Sequence, residues 1–336
     1  CHKRMVQCDK CREVYHGTCS EACKNRVIND KSATERRTVS KSEMQYETID
    51  DYSLGYSTVP GDLYDEIKKN TAEYMGSGLH MISDAMQGRF LTNLASMARE
   101  GRILEIGGFT GYATCCFLEG AANAADAMGY TDTIGSREKG PFVMSLERDN
   151  RAIDIATSHV GVMAKHGLGE DAANAASKLR DEGSELPEID SDSSHFSYKN
   201  AGCEIVRVTD ALAHVEAISI GIEGSSIGAF DVVFIDADKT RFLQYIEACL
   251  VNDKLLKKGG IMIVDNVLWK GLVLDVNNGT LNDSSEGLDA REIKKSRRTR
   301  KLANAVHDFN SAIVQDDRVE VVMVPMRDGL SIIRKK

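Results

Sequence analysis

Two short acidic clusters each close an apolar run. Asp236, Asp238 and Lys239 follow Phe234-Ile235, and Asp265-Asn266 follow Ile261-Met262-Ile263-Val264. Apolar runs of this length read as buried strands, so both clusters stand at strand ends. If the two strands are neighbours, two carboxylates and an amide oxygen converge. Hard oxygen donors of that kind suit Mg²⁺ or Ca²⁺ over a soft metal. The plainer reading is helix capping by Asp265 and Asn266, with Asp236 solvated. A lysine beside both pairs weighs against it, because an ammonium next to carboxylates is a proton-handling arrangement.

A glycine turn comes earlier. Glu105-Ile106-Gly107-Gly108-Phe109-Thr110-Gly111 ends another apolar run. Glycine lets the backbone turn sharply and approach a ligand closely. The spacing is not GxGxxG and no P-loop lysine follows, which points away from dinucleotides and nucleoside triphosphates. Leu146-Glu147-Arg148-Asp149 ends the next run, where an acid can accept from ribose hydroxyls or stay a solvated loop carboxylate. Asp210 ends a third run. It can accept from an adenine amino group or cap the following helix.

Alternating strands and helices must position these groups. Strands are expected at RILEI, FVMSLERD, CEIVRVTDA, FDVVFIDADK and GGIMIVDNVLW, with VEVVMVP and GLSIIRK closing as a possible antiparallel pair. Helical spacing covers 62–75, 84–100, 150–166, 211–219, 241–257 and 291–315. In 84–100, Phe90, Leu91, Leu94 and Met97 fall on one side. Residues 121–140 read as an irregular extension, 168–200 as a mobile polar insertion and 274–290 as polar loop. The pattern is α/β, a parallel sheet with helices on both faces, and ligands of such sheets bind beyond the carboxyl ends of the strands.

With MISDAMQGRFL, ILEIGGFTGYA, FDVVFIDADKTRFLQY, GGIMIVDNVLWKGLV and DGLSII, residues 60–336 resemble the cation-dependent O-methyltransferases that use S-adenosylmethionine, the caffeoyl-CoA and catechol O-methyltransferase group. The resemblance implies a Rossmann-like, seven-stranded class I methyltransferase sheet and a homodimer. It implies that Asp236, Asp265 and Asn266 hold the metal, and that Lys239, the candidate catalytic residue, lies beside the accepting hydroxyl. Glu105, Gly107, Thr110 and Tyr112 match the methionine end of the cofactor site. Glu147 matches the ribose acid, Asp210 the adenine side, and Asp236 borders the cofactor as well. Met81 matches the approach to the cofactor, and Trp269 an aromatic near the acceptor. Ala85 and Ala113 depart from the family's usual proline and serine. The implied acceptor is a small vicinal dihydroxy phenol, one hydroxyl of which ionises on the metal while Lys239 accepts the proton or holds the oxyanion.

Composition sets the remaining bounds. Of 336 residues, 42% are hydrophobic and 28% charged, which excludes a disordered chain, a collagen-like fibre and a pure coiled coil. No run is apolar and long enough to span a membrane. The chain opens with Cys1 and lacks an apolar signal core, so it reads as a fragment or processed chain with the cytosol as default. The net charge of −9 argues against a nucleic-acid binder, although residues 1–45 alone carry +4.

Five of the nine cysteines fall in the first 23 residues. Cys8-x-x-Cys11 with Cys19-x-x-x-Cys23 has zinc spacing, so 1–27 reads as a Zn²⁺-binding segment or a set of unliganded thiols, with 28–59 as linker. QCDKCREVYHGTCSEACKNR also resembles the cysteine-rich tail of rhodanese-type tRNA uridine hydroxylases. That resemblance implies a second possible acceptor, the 5-hydroxyuridine of tRNA. The basic run REIKKSRRTRK (291–301) could meet its phosphates or form a solvated helix face. A third class, an inactive binding module, is disfavoured by intact Asp236, Lys239, Asp265 and Asn266.

Overall fold

The structure, a computed structural model, describes residues 46–58, 60–130, 134–181, 193–221, 227–281 and 290–336. The helices are α1 (Ile49–Gly55), α2 (Asp62–Met75), α3 (Ala85–Ser96), α4 (Tyr112–Ala127), α5 (Asn150–His166), α6 (Glu170–Asp181), α7 (Ala211–Ile220), α8 (Phe242–Leu250), α9 (Leu272–Asn278) and α10 (Ala290–Ile313). The strands are β1 (Arg102–Ile106), β2 (Phe142–Glu147), β3 (Ser193–Tyr198), β4 (Ala201–Arg207), β5 (Phe230–Ile235), β6 (Leu256–Asp265), β7 (Val319–Val324) and β8 (Leu330–Lys335).

The strands form one mixed sheet in the order β3-β4-β2-β1-β5-β6-β8-β7. The five central strands run parallel, and β3, β8 and β7 join antiparallel. β1 and β5 are buried along their whole length, as a parallel sheet covered on both faces requires. On one face α7, α8 and α10 contribute Leu212, Phe242 and Phe309 to the core. On the other, α2, α3, α4 and α5 contribute Leu63, Leu91, Phe117 and Ile153. From β1 the chain moves outward through β2 and β4, then returns to add β5 on the other side of β1. That reversal leaves a crevice beyond the carboxyl ends of β1 and β5, where such sheets take their ligands.

The α/β Rossmann-like fold is as expected, with corrections. The sheet has eight strands, not seven, because β3 adds an antiparallel edge to β4. The stretch 168–200 is built into the fold on both sides of the undescribed residues 182–192. Ala172 and Ala176 of α6 are fully buried, and α6 packs on α2. Its small apolar residues, too weak to stand out in a polar sequence, fit a close helix–helix contact. Residues 121–127 continue α4, with Ala121, Ala122, Ala124 and Ala125 buried, since alanine is both a strong helix former and small enough to pack closely. Beyond the helix, the buried Arg102 guanidinium donates to the carbonyls of Ser136, Gly140 and Gly228 at 2.9–3.0 Å, which ties residues 136–140 down.

Shorter differences occur elsewhere. α1 forms inside the expected linker, capped by the Thr48 hydroxyl. α9 begins at Leu272 and runs into the expected loop 274–290 as far as Asn278. α3 stops at Ser96, which leaves Met97 on the surface at 71% exposure, and α8 stops at Leu250 because β6 already begins at Leu256. Among the described residues no helix is long and apolar enough to cross a membrane.

Candidate active site

The glycine turn joins β1 to α4 with Gly107 at φ +99° and Gly111 at φ +84°. A side chain at Gly107 would collide with the carbonyl oxygen of Asp236, and one at Gly108 with the Ser145 hydroxyl. The turn therefore lies directly against the end of β5. Beneath it Glu105 is fully buried. Its Oε2 accepts from Thr114 and Ser145, each at 2.5 Å, while Oε1 has no hydrogen-bond partner among the described residues. Burial pushes this carboxyl up to about 7; the two hydroxyls oppose the shift, and the charges of Glu147 and Asp236 add to it.

Thr110 is held twice. Its hydroxyl lies 2.8 Å from that of Thr71 on α2, and its carbonyl accepts from His159 Nδ1 at 2.8 Å. Tyr112 is buried edge-on to Tyr64, ring centroids 5.2 Å apart. Glu147 at the end of β2 accepts from the Phe109 amide at 2.8 Å, and its other oxygen accepts from the amides of Arg148 and Asp149. Asp210 caps α7 through the Leu212 amide at 3.0 Å and pairs with Arg241 at 2.9 and 3.0 Å. The Arg241 hydrogen bonds hold this exposed carboxyl below its usual range. The capping role weighed for Asp210 is thus realised. Met81 ends a 3-10 segment half-exposed, and an added carbon at Gly78 would touch its methyl and the Phe109 ring, so these three cover one side of the turn.

The acidic strand ends do come together. β5 and β6 are adjacent and parallel, with Ile235 paired to Val264, so Asp236 and Asp265 leave the sheet side by side. Lys239 Nζ donates to Asp236 Oδ1 at 2.5 Å and lies over the Phe242 ring. Asp265 is 5% exposed. Its Oδ2 accepts from Gln87 Nε2 at 2.7 Å and its Oδ1 from the Asn266 amide at 2.6 Å. Burial first, and the Asp236 charge second, push Asp265 up to about 6. Asn266, Trp269 and Lys270 all take positive φ, +63°, +43° and +61°. Left-handed side chains so close together are disfavoured and concentrate at functional turns. Trp269 Nε1 donates to the Thr299 carbonyl of α10 at 2.9 Å, which docks that helix beside the site.

These residues suit a divalent cation on two counts. The donors are hard oxygens, and two carboxylates raise one another's cost of ionisation unless a positive charge sits between them. Among the described residues no group of three His, Cys, Asp or Glu gathers, so the set rests on two carboxylates and the Asn266 amide. The turn likewise fits an organic cofactor. Gly107 and Gly108 let the turn's backbone press close to Asp236 and Ser145, and Glu105 Oε1 is a buried acceptor without a partner among the described residues, which suits a cationic cofactor group. An open cavity of about 520 Å³, lined by Glu73, Tyr74, Asp149 and Arg151, lies between the end of α2 and the start of α5.

Several supporting residues leave no local trace of their role. Gln87 reaches Asp265 and Arg327 reaches Gln87, while His159 and Thr71 hold Thr110. Gln87 stands inside MISDAMQGRFL, which marked the stretch without marking the residue. Cys8, Cys11, Cys19 and Cys23 lie outside the described residues, so the Zn²⁺ and hydroxylase-tail readings do too. Cys115, Cys116, Cys203 and Cys249 are buried free thiols. In α10, Lys294, Lys295, Arg297, Arg298 and Lys301 are exposed, as a solvated basic face requires.

Residues 195–336 match the family model described as O-methyltransferase. Caffeoyl-CoA O-methyltransferase 3 of Nicotiana tabacum is 25% identical over 312 residues, covering 92% of this chain and 99% of that protein. Caffeoyl-CoA O-methyltransferase 1 of Zea mays is 27% identical over 300 residues, 88% of this chain and 86% of that protein. Among solved structures, the SAH-bound methyltransferase PaMTH1 of Podospora anserina aligns with a TM-score of 0.55 at 20% identity over 86% of this chain and 94% of its own. The O-methyltransferase of Bacillus cereus in complex with SAH aligns at 0.53 with 21% identity, over 86% of this chain and 97% of its own. At those identities the structural likeness carries the fold.

Proposed function

We infer that this S-adenosylmethionine-dependent O-methyltransferase methylates one hydroxyl of a vicinal dihydroxy aromatic acceptor, with Asp236, Asp265 and Asn266 holding a divalent cation. The transferase class itself follows from the family match and from relatives aligned along most of the chain. The acceptor class draws support from the caffeoyl group in those relatives' names, a ring bearing two neighbouring hydroxyls. The observation that carries the cation is the side-by-side exit of Asp236 and Asp265 beside Lys239.

When bound, S-adenosylmethionine supplies an electrophilic methyl and the cation supplies Lewis acidity to a coordinated hydroxyl. The chain does the rest. The Gly107–Gly108 turn, packed close against Asp236 and Ser145, faces the methionine end, where Glu105 Oε1, which has no other partner among the described residues, accepts from the ammonium. Glu147 and Asp210, beyond β2 and β4, take the ribose and adenine sides. Lys239 Nζ, tethered to Asp236, holds or takes the proton of the accepting hydroxyl. Trp269 and Met81 wall the acceptor and cofactor approaches, and alignment of methyl and oxygen supplies the remaining rate.

The test is methyl transfer from labelled S-adenosylmethionine with Mg²⁺ across a catechol panel, with excess EDTA and with 5-hydroxyuridine tRNA as separate arms. Label on catechols, abolished by EDTA and restored by Mg²⁺, is expected. Full activity in EDTA removes the cation. Label on tRNA alone, fading as salt rises, removes the small acceptor.

A further inference from the structure

We infer that Arg327 is a positioning residue, which fixes the amide of Gln87 so that Gln87 holds the Asp265 carboxylate in place for the cation. The inference rests on the cation reading of Asp236, Asp265 and Asn266 above.

Arg327 lies in the turn between β7 and β8 and takes φ +52°, a conformation disfavoured for a long side chain and natural for glycine. The turn does not need that side chain to close. The Gly329 amide donates to the Met326 carbonyl at 2.9 Å, and the amides of Val267 and Leu268 donate to the carbonyls of Gly329 and Asp328. What the arginine adds is reach. Its Nη1 donates to the Ile82 carbonyl and to Gln87 Oε1, each at 2.9 Å, and its Nε lies 3.5 Å from Asp84 Oδ2.

Gln87 is fully buried, so its amide has no water to fall back on. An amide's oxygen and nitrogen differ in partners and hardly in shape. With Arg327 donating to Oε1, Nε2 must face Asp265 Oδ2, where it sits at 2.7 Å. Without Arg327 the oxygen is a buried orphan, and the flipped amide turns an oxygen against the carboxylate. In either case the Asp265 oxygen loses a firm donor. Such outer partners of a metal ligand typically govern affinity about 10–100-fold.

The substitution Arg327→Gly separates this role from a structural one, because glycine suits the backbone and keeps the turn's main-chain bonds. Mn²⁺ is titrated by calorimetry into the wild type, Arg327→Gly, Gln87→Met and the double variant, with the cation-free Tm of each. Expected is an unchanged or raised Tm for Arg327→Gly with Mn²⁺ affinity about 10–100-fold weaker, and no further loss in the double variant, because both changes break one relay. Wild-type affinity in Arg327→Gly, or losses that multiply in the double variant, overturns the role of Arg327 alone. A wild type that takes up no Mn²⁺ overturns the cation reading and this inference with it. If Arg327→Gly fails to fold, Arg327→Asn supplies the test, since asparagine tolerates the left-handed backbone and is too short to reach Gln87; wild-type affinity there also overturns the relay.

Discussion

Gly107 rests directly on the carbonyl oxygen of Asp236, so the glycine turn proposed to receive the cofactor and the strand end proposed to hold the cation are one packed unit. The Asp236 amide in turn donates to the Ile106 carbonyl at 3.0 Å, which locks β1 and β5 in register there. A change on either side is therefore felt on the other.

Gly107→Ala tests this coupling against Gly167→Ala. Gly167 also has positive φ, +79°, but an added carbon there meets nothing within 4 Å. The Gly167 variant should lose about 1–3 kcal/mol, because its φ of +79° with ψ of −140° is backbone that only glycine adopts readily. The Gly107 variant should lose more, and its cofactor affinity should fall as well. Equal losses in urea unfolding, with cofactor affinity intact, contradict the contact.

Cofactor affinity should depend on the protonation of Glu105. Burial holds its carboxyl at about 7, and the ionised form accepts an ammonium at Oε1 much more strongly than the neutral acid. Below pH 7 binding must first expel a proton, so affinity weakens by up to about tenfold per pH unit on the acid side. Above it the dependence levels off. Calorimetric Kd values for S-adenosylhomocysteine should show this bend, and Glu105→Gln should flatten it.

Stability should carry its own pH signature, from His159. Burial pushes this imidazole down to about 4 from 6.5, against the pull of the Thr110 carbonyl. The unfolded chain takes up the proton near 6.5 while the folded chain resists it to about 4. The stability due to the neutral ring is thus complete above the unfolded value and is lost as pH falls through the window between the two. The full loss is about 3 kcal/mol, of which about 2 kcal/mol appears by pH 5. Urea midpoints of the wild type and His159→Gln should differ in slope across that window and run parallel above it.

Lys239→Met should separate chemistry from binding. The ammonium is bonded to the Asp236 carboxylate, whereas the glycine turn packs on the Asp236 main-chain carbonyl, which the substitution leaves in place. Methyl transfer should fall on the order of 10²–10⁴-fold, the usual span for a lost proton-transfer group, with Kd for S-adenosylhomocysteine within a few-fold of wild type. Rate loss that rises with pH and tracks the acceptor's own ionisation would place the residue in holding the oxyanion instead.

Much of the site was legible in residues close in sequence. A strand buried on both faces must be an apolar run, and the polar residues at its carboxyl end must sit at that edge of the sheet. FVMSLE, FDVVFI and IMIVD therefore placed Glu147, Asp236 and Asp265 at one edge from local pattern alone. The turn Gly107–Gly111 announced itself in the same way, since its glycines supply dihedrals and a close approach that side chains oppose. What the chain could not announce locally, tertiary structure decided. Gln87 meets Asp265 across 178 residues and Arg327 across 240, and no periodicity records such pairs. The polar stretch 168–200 became α6 and an edge strand because partners elsewhere, α2 and β4, supply the surface that its own side chains lack. Met97 obeyed the helical period yet stayed outside, because α3 ended one residue before it. Local sequence set which groups stand at the strand ends; long-range packing set which of them are held, by what, and in which protonation state.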